Sequence, residues 1–201
     1  MSTLHIPEVT GVMLLPDCTL FPHGGLPLHV FEPRYREMLA ETLEDSCFFS
    51  VACLDGEETA HPADCTHPIG TVGLVRVSRE MDDGSSNLLL HGVIRVRFLE
   101  WMEDASYPRA RIMPIPAVFE PGNQAAAAIE ALREATEEAL ENFSDDIRSA
   151  YHSMTESIED PAILADVIAQ QFVQDPEDRR EVLGMESVSE RIAWLCHHLS
   201  D

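Results

Sequence analysis

The chain has 201 residues, of which 45% are hydrophobic and 24% charged, and its net charge is −23. That length suits one large or two small soluble globular domains, and a field of this sign repels phosphate backbones and anionic lipid while attracting basic peptides. All 13 basic residues are arginine, so the chain has no lysine for a phosphate-binding P-loop, a Ser-Lys dyad or a Schiff base.

Residues 1–118 read mainly as strands. "GVMLL" (11–15), "LPLHVF" (26–31) and "CFFSVACL" (47–54) are short apolar runs. "GTVGLVRVS" (70–78) and "LLLHGVIRVRF" (88–98) flank "REMDDGSSN". Its Asp83-Gly84 pair predicts the turn of a long hairpin. "YPRARIMPI" (107–115) has prolines near both ends, which suits an edge strand. Several short strands with turns between them predict a small barrel or sandwich.

One helix interrupts this series. Pro33 fits a first helical turn, where its missing N–H costs nothing. Tyr35, Met38, Leu39 and Leu43 then fall on one face. "FEPRYREML" is thus a strand-to-helix corner, with Phe31 expected to anchor it and the helix to cover an opening of the β-unit.

Residues 119–201 have helical periodicity. "EPGNQ" (120–124) reads as a linker, and 125–143 as a helix with Ile129, Leu132, Leu140 and Phe143 on a stripe. Asp160-Pro161 and Asp175-Pro176 each offer a capping Asp and a first-turn Pro. The first opens a helix with Leu164, Val167, Ile168 and Phe172 on one face, and the second a helix that closes at Gly184 as C-cap. Ser187 and Glu190 form a capping box before a last helix carrying Ile192, Leu195, Cys196 and Leu199. The part before Phe119 has a balance of −9 and the part from Phe119 onward −14, so neither is basic.

No arrangement of residues points to catalysis. His61, Cys65 and His67 are zinc-ligand types, but H-x3-C-x-H is not a ligand spacing, and a solvated loop is the simpler reading. Cys196 and His197 are neighbours on a helix and so point about 100° apart. No G-x-S-x-G elbow occurs, and Asp145-Asp146 reads as a solvated helix end. The five cysteines are irregularly spaced, without C-x-x-C. The N-terminus lacks a basic region, and Glu8 and Asp17 interrupt the first apolar segment. Reduced thiols in a cytoplasmic protein without an export signal are the expectation. No cofactor or metal is expected, and no apolar run is long enough to span a membrane.

Arg95 and Arg97 alternate with Ile94, Val96 and Phe98, and Arg109 and Arg111 with Ala110 and Ile112. Period two predicts that the arginines face outward. If the strands are neighbours, the four share a surface that acids, an anion or a partner would neutralise. Intramolecular salt bridges are the simpler reading.

"TLFPHGGLPLHVFEPRYREML" (19–39) resembles the start of the N-terminal substrate-recognition domain of the ATP-dependent protease Lon. "IGTVGLVRV" resembles its Gly-Thr-Val strand and "LLLHGVIRVRFLEW" its Gly-x-x-Arg-x-Arg strand. "ADVIAQQFVQDPEDRREVLGMESVSERIAWLCHHL" is similar to the helical segment that follows. The resemblance implies an α+β chain: a PUA-like small β-barrel with a covering helix over 1–118, then a C-terminal α-helical bundle subdomain over 119–201. It implies protein binding and defines no catalytic residues. With no lysine and an end at Asp201, neither the ATPase nor the protease activity of Lon is expected. Cereblon, another relative, adds a cysteine-rich zinc module that has no counterpart here.

The expected function is a non-catalytic module that binds unfolded polypeptide segments or a protein partner in a groove between β-unit and helices. Phe21, Leu26, Phe31, Arg34 and Tyr35 are the peptide-contact candidates, though core packing is the simpler reading for most of the apolar ones. Arg95, Arg97, Arg109 and Arg111 are the anion or partner-contact candidates. The alternatives are RNA binding through that arginine face, as PUA-type barrels do elsewhere, and a dedicated adaptor for one folded partner. The negative β-half argues against RNA.

Overall fold

The computed structural model describes residues 5–59, 61–117, 119 and 125–200. It divides into two compact units, Met1–Ile115 and Pro116–Asp201. The linker expected at 120–124 lies outside the described residues.

The first unit holds six strands: β1 (Val9–Pro16), β2 (Gly25–Val30), β3 (Phe48–Leu54), β4 (Ile69–Glu80), β5 (Ser86–Met102) and β6 (Arg109–Ile115). Their order is β2-β5-β4-β3-β1-β6, and β5 also pairs with β6, so five of the strands close a ring of pairings. β1 and β3 are parallel; the other pairs are antiparallel. The long strand β5 makes this possible. Its first half, from Ser86 to His91, carries β2, and its second half, from Arg95 to Met102, carries β6. The three strands β2, β5 and β4 therefore share a stretch at one end of β5.

All seven residues of β3 are buried because both of its faces are covered. Phe48, Ala52 and Leu54 join one apolar cluster with Val12, Leu14, Val72, Val96 and Ile112. Phe49 and Val51 join a second, with Met13, Leu20, Leu88 and Leu90. The helix α1 (Pro33–Glu44) supplies Tyr35, Met38 and Leu39 to this second cluster. It thus covers a face of β1 and β3, not an opening. Its buried stripe ends with Thr42, while Leu43 is exposed. The Tyr35 hydroxyl accepts a hydrogen bond from the Leu14 backbone N–H at 3.1 Å, which ties the helix to β1.

The hairpin between β4 and β5 turns where its sequence predicts. Gly84 has φ 77°, a conformation that costs glycine nothing. The Asp83 carboxylate accepts from the Ser85 N–H at 2.9 Å and from its hydroxyl at 2.6 Å.

The second unit holds five helices among the described residues: α2 (Ala125–Leu140), α3 (Asp145–Thr155), α4 (Pro161–Phe172), α5 (Pro176–Gly184) and α6 (Val188–Leu199). Asp160 accepts from the Ala162 and Ile163 N–H groups, and Asp175 from those of Glu177 and Asp178. Ser187 accepts from the Glu190 N–H at 3.3 Å. Gly184 is the last helical residue of α5, and Met185 takes the C-cap position in extended conformation. Leu132, Leu140, Leu164, Ile168 and Leu195 are fully or almost fully buried. The helix α3 has no counterpart in the sequence reading. Asp145 and Asp146, read as a solvated helix end, form its exposed first turn, where carboxylates are favoured by the helix dipole. Phe143, expected on the α2 stripe, lies beyond its end and is 50% exposed.

Candidate functional site

Two of the five peptide-contact candidates are interior. Phe21 has no exposure, and Tyr35 is buried against Met13 and Phe49 in the second cluster. Leu26 is half-buried and packs on the same cluster. Arg34 is committed to a bidentate pair with Glu58, at 2.5 and 2.9 Å, and to Glu32 at 3.0 Å, and it lies over the Tyr35 ring at 4.5 Å. The hydrogen bond to Glu58 is the main cause holding the Arg34 guanidinium above its ordinary pKa; the same bond depresses Glu58. Phe31 is the exception. It does not anchor the corner, a task that falls to buried Val30, and it is 62% exposed.

The expected surface of four arginines does not assemble. Arg95 is 2% exposed, with its guanidinium 5.9 Å from the Phe21 ring centre. The segment between β1 and β2 crosses the strands at this point. Thr71 donates to the Leu20 carbonyl at 2.6 Å, the His23 N–H donates to the Gly92 carbonyl, and the Gly92 N–H donates to that of Gly24. Alternation along β5 does point Arg95 away from Val96, but a covering segment makes that direction interior. On β6, Arg109 pairs with Asp104 at 2.8 Å, and Arg111 with Glu100 and Glu8 at 3.5 and 3.7 Å. Arg97 is half-buried.

His61, Cys65 and His67 also stay apart in role. Cys65 is buried and its sulfur accepts from the Thr59 N–H at 3.4 Å, while His67 Nδ1 lies 3.0 Å from the Ile69 carbonyl. Among the described residues no group of three or more His, Cys, Asp or Glu side chains could hold a metal ion.

One surface of the first unit that does present apolar side chains is the outward face of the β2-β5-β4 end. Pro27 stands opposite Leu89, and Leu89 opposite Val77, so one row of three apolar residues crosses three strands. Val77 is 61% exposed; Leu89 is also exposed. In the next row His29 and Asn87 hydrogen-bond at 2.9 Å, and Asn87 donates to the Met81 sulfur at 3.5 Å. Phe31 stacks on His29 with ring centres 5.8 Å apart. The exposed arginines Arg76 and Arg79 flank this face. The opposite face of the same strands carries Leu26, Leu28, Val30, Leu88 and Leu90 into the core.

A β-bulge creates this face. Val75 pairs with buried Leu90, and Val77, two residues on, pairs with exposed Leu89. Regular period-two geometry would put both valines on one side; the extra residue, Arg76, turns Val77 outward. Sequence alternation therefore could not find the site. Pro27 also bears on how the face can be used. β2 is the terminal strand of the sheet, and Pro27 removes an N–H donor from it, which disfavours addition of a further strand. Contact through side chains of the face remains.

The model of the ATP-dependent protease La (LON) substrate-binding domain matches residues 10–201. The chain belongs to that family. It is 27% identical over 198 residues to the Lon protease of Anaeromyxobacter dehalogenans (strain 2CP-C), covering 97% of this chain and 23% of the relative. It is 26% identical over 200 residues to Lon protease 2 of Myxococcus xanthus, covering 97% and 24%. The chain thus spans about a quarter of the length of the curated relatives it matches. Among solved structures, the N-terminal domain of Mycobacterium avium complex Lon protease superposes with a TM-score of 0.75 at 15% identity, covering 96% of this chain and 99% of that one. The Lon N-terminal domain protein from Xanthomonas campestris gives 0.63 at 17%, covering 94% and 97%. These neighbours share the mixed sheet-and-helix fold. No helix among the described residues is long and apolar enough to cross a membrane.

Proposed function

We propose that this chain is a non-catalytic, cytoplasmic substrate-recognition module that holds unfolded polypeptide segments against the outward face of β2, β5 and β4. The observation that carries the reading is the row Pro27, Leu89 and Val77, apolar and directed to solvent on strands whose other face is already core. Phe31 and Met81 extend the row along the strands. An apolar patch of this kind on a soluble domain marks an interaction surface. Membership of a substrate-binding domain family supports the same reading.

The patch sets the strength of the contact. A few hundred Å² of apolar burial at about 25 cal/mol per Å² yields a gross gain of several kcal/mol. Ordering a flexible segment and losing its translational freedom cancel much of that. The expected Kd is of micromolar order or weaker, which suits a module that samples many clients. Main-chain pairing is blunted at Pro27, so recognition depends on apolar side chains and carries little sequence code.

The test is to titrate the protein with an uncharged, unfolded apolar peptide, its serine-rich counterpart and a single-stranded RNA. Binding of the apolar peptide alone is expected. Tight binding of one folded cellular protein with no peptide binding would make the chain a dedicated adaptor, and preferential RNA binding would overturn the reading.

A further inference from the structure

The helical unit carries a second apolar groove, remote in sequence from the sheet face. It has a volume of about 570 Å³ and is lined by Phe143, Ile147, Tyr151, Met154 and Phe172, among others. Ile147, Ala150 and Met154 recur at helical spacing along α3 and span about 10 Å of its length. Phe143, Ile147 and Met154 are 50%, 49% and 43% exposed. Tyr151, on the same helix, is buried and packs edge-on against Phe172 at 5.6 Å, which fixes the floor. So α3 is held to the unit by Tyr151 while it presents a row of apolar side chains to solvent.

The charge around the groove is predominantly negative, although the Arg133 guanidinium donates to the Thr155, Glu156 and Ile158 carbonyls at the C-terminal end of α3. Between Glu137 and Asp160 the chain carries eight carboxylates and one arginine, Arg148. Glu138, Glu141, Asp145 and Asp146 are exposed around the α2–α3 junction, and Glu156, Glu159 and Asp160 beyond the end of α3. Of the groups facing Tyr151 and the groove, His152 is directed to Glu137 at 3.1 Å. The sheet face differs, for it is flanked by Arg76, Arg79 and His29. Apolar contact would hold the centre of a ligand in the helical groove, and the acidic ends select what flanks it.

We propose that this groove is a second polypeptide site, selective for apolar segments flanked by lysine or arginine. It rests on the reading of the chain as a polypeptide-binding module but uses different residues from the sheet face. Attraction between the acidic ends and a basic flank speeds association and is screened as salt rises. An acidic-flanked segment meets like charge at both ends.

The experiment uses fluorescein-labelled peptides with one Leu/Ile/Phe centre and flanks of lysine, serine or glutamate, titrated by anisotropy against the full chain at low and high salt. The lysine-flanked peptide is expected to bind about tenfold more tightly than the glutamate-flanked one at low salt, with the gap closing at high salt. Ile147→Ser with Met154→Ser should lower lysine-flanked binding about tenfold. Because these side chains are already exposed, the melting temperature should hold. Asp145→Asn with Asp146→Asn should reduce the charge preference without removing apolar binding. If the α3 variant loses lysine-flanked binding while Val77→Ser with Leu89→Ser changes nothing, the groove stands and the sheet-face reading falls. Equal binding of the three peptides, or no effect of the α3 substitutions, overturns the proposal. So does a wild-type dimer that the α3 substitutions dissociate, since a second copy would then be the occupant.

Discussion

The Arg95 guanidinium lies over the Phe21 ring, 5.9 Å from its centre, and both residues are buried. Each was a contact candidate on sequence grounds, yet they pack against one another inside the first unit. Phe21→Ala should therefore act on stability, costing about 3–5 kcal/mol. Polypeptide affinity per folded molecule should be unchanged. Chemical denaturation beside peptide titration checks both halves; a stable variant with weakened binding would return Phe21 to the surface.

Gly92 tests how the covering segment is held. A Cβ at this position would sit 2.1 Å from the Phe21 carbonyl oxygen and 3.0 Å from its carbon, so backbone must move. Gly92→Ala is expected to cost about 1–3 kcal/mol. It should also raise solvent exposure around Arg95, which hydrogen exchange of the 18–24 segment would report. A neutral substitution would mean that this segment is not pinned to β5.

These two sites mark where sequence was legible and where it was not. Strands β1 to β6 and helices α1, α2, α4, α5 and α6 follow from apolar runs, turn residues and caps, because each buries at least one side against a core. Arg95 was misplaced because alternation gives a direction, not what lies in that direction; the segment covering it has no period. Val77 was not singled out, because a bulge changes the phase of the strand after Val75 and period two alone does not show it. α3 was missed because its apolar row of Ile147, Ala150 and Met154 faces solvent, and its N-cap, Ser144, makes no side-chain bond to the helix. Two of these three features, Val77 and α3, expose apolar surface, which core-building patterns do not encode.

Alkaline pH gives a third prediction. Burial, followed by the hydrogen bond it donates to Glu41 at 2.5 Å, pushes the Tyr107 phenol up to about 12. Burial raises Tyr35 and Tyr151 as well. A phenol with a raised folded pKa is held neutral by the fold. Its contribution is fully present below the ordinary value of about 10 and is lost as pH rises from there through the folded value. The urea midpoint should thus fall steadily between about pH 10 and pH 12, and Tyr107→Phe should flatten part of that slope. A slope identical in the variant would remove Tyr107 from the account.

The 201-residue chain is expected to hydrolyse neither ATP nor peptide bonds. It has no lysine for phosphate binding or for a Ser-Lys dyad. Incubation with ATP, and separately with a denatured protein, should give no turnover above a buffer control. Activity that copurifies with the chain through several separations would overturn the non-catalytic reading.

The most direct measurement replaces the centre of the exposed row. Val77→Ser with Leu89→Ser removes two exposed apolar side chains that stand opposite each other on the outward face and belong to neither apolar cluster. Titrated with the uncharged apolar peptide, the double variant should bind about tenfold more weakly than the wild type, with the helical groove holding what remains, while its melting temperature stays within a few degrees. Undiminished binding by a folded double variant would contradict the account, because the face that the bulge turns outward would then not be where polypeptide is held.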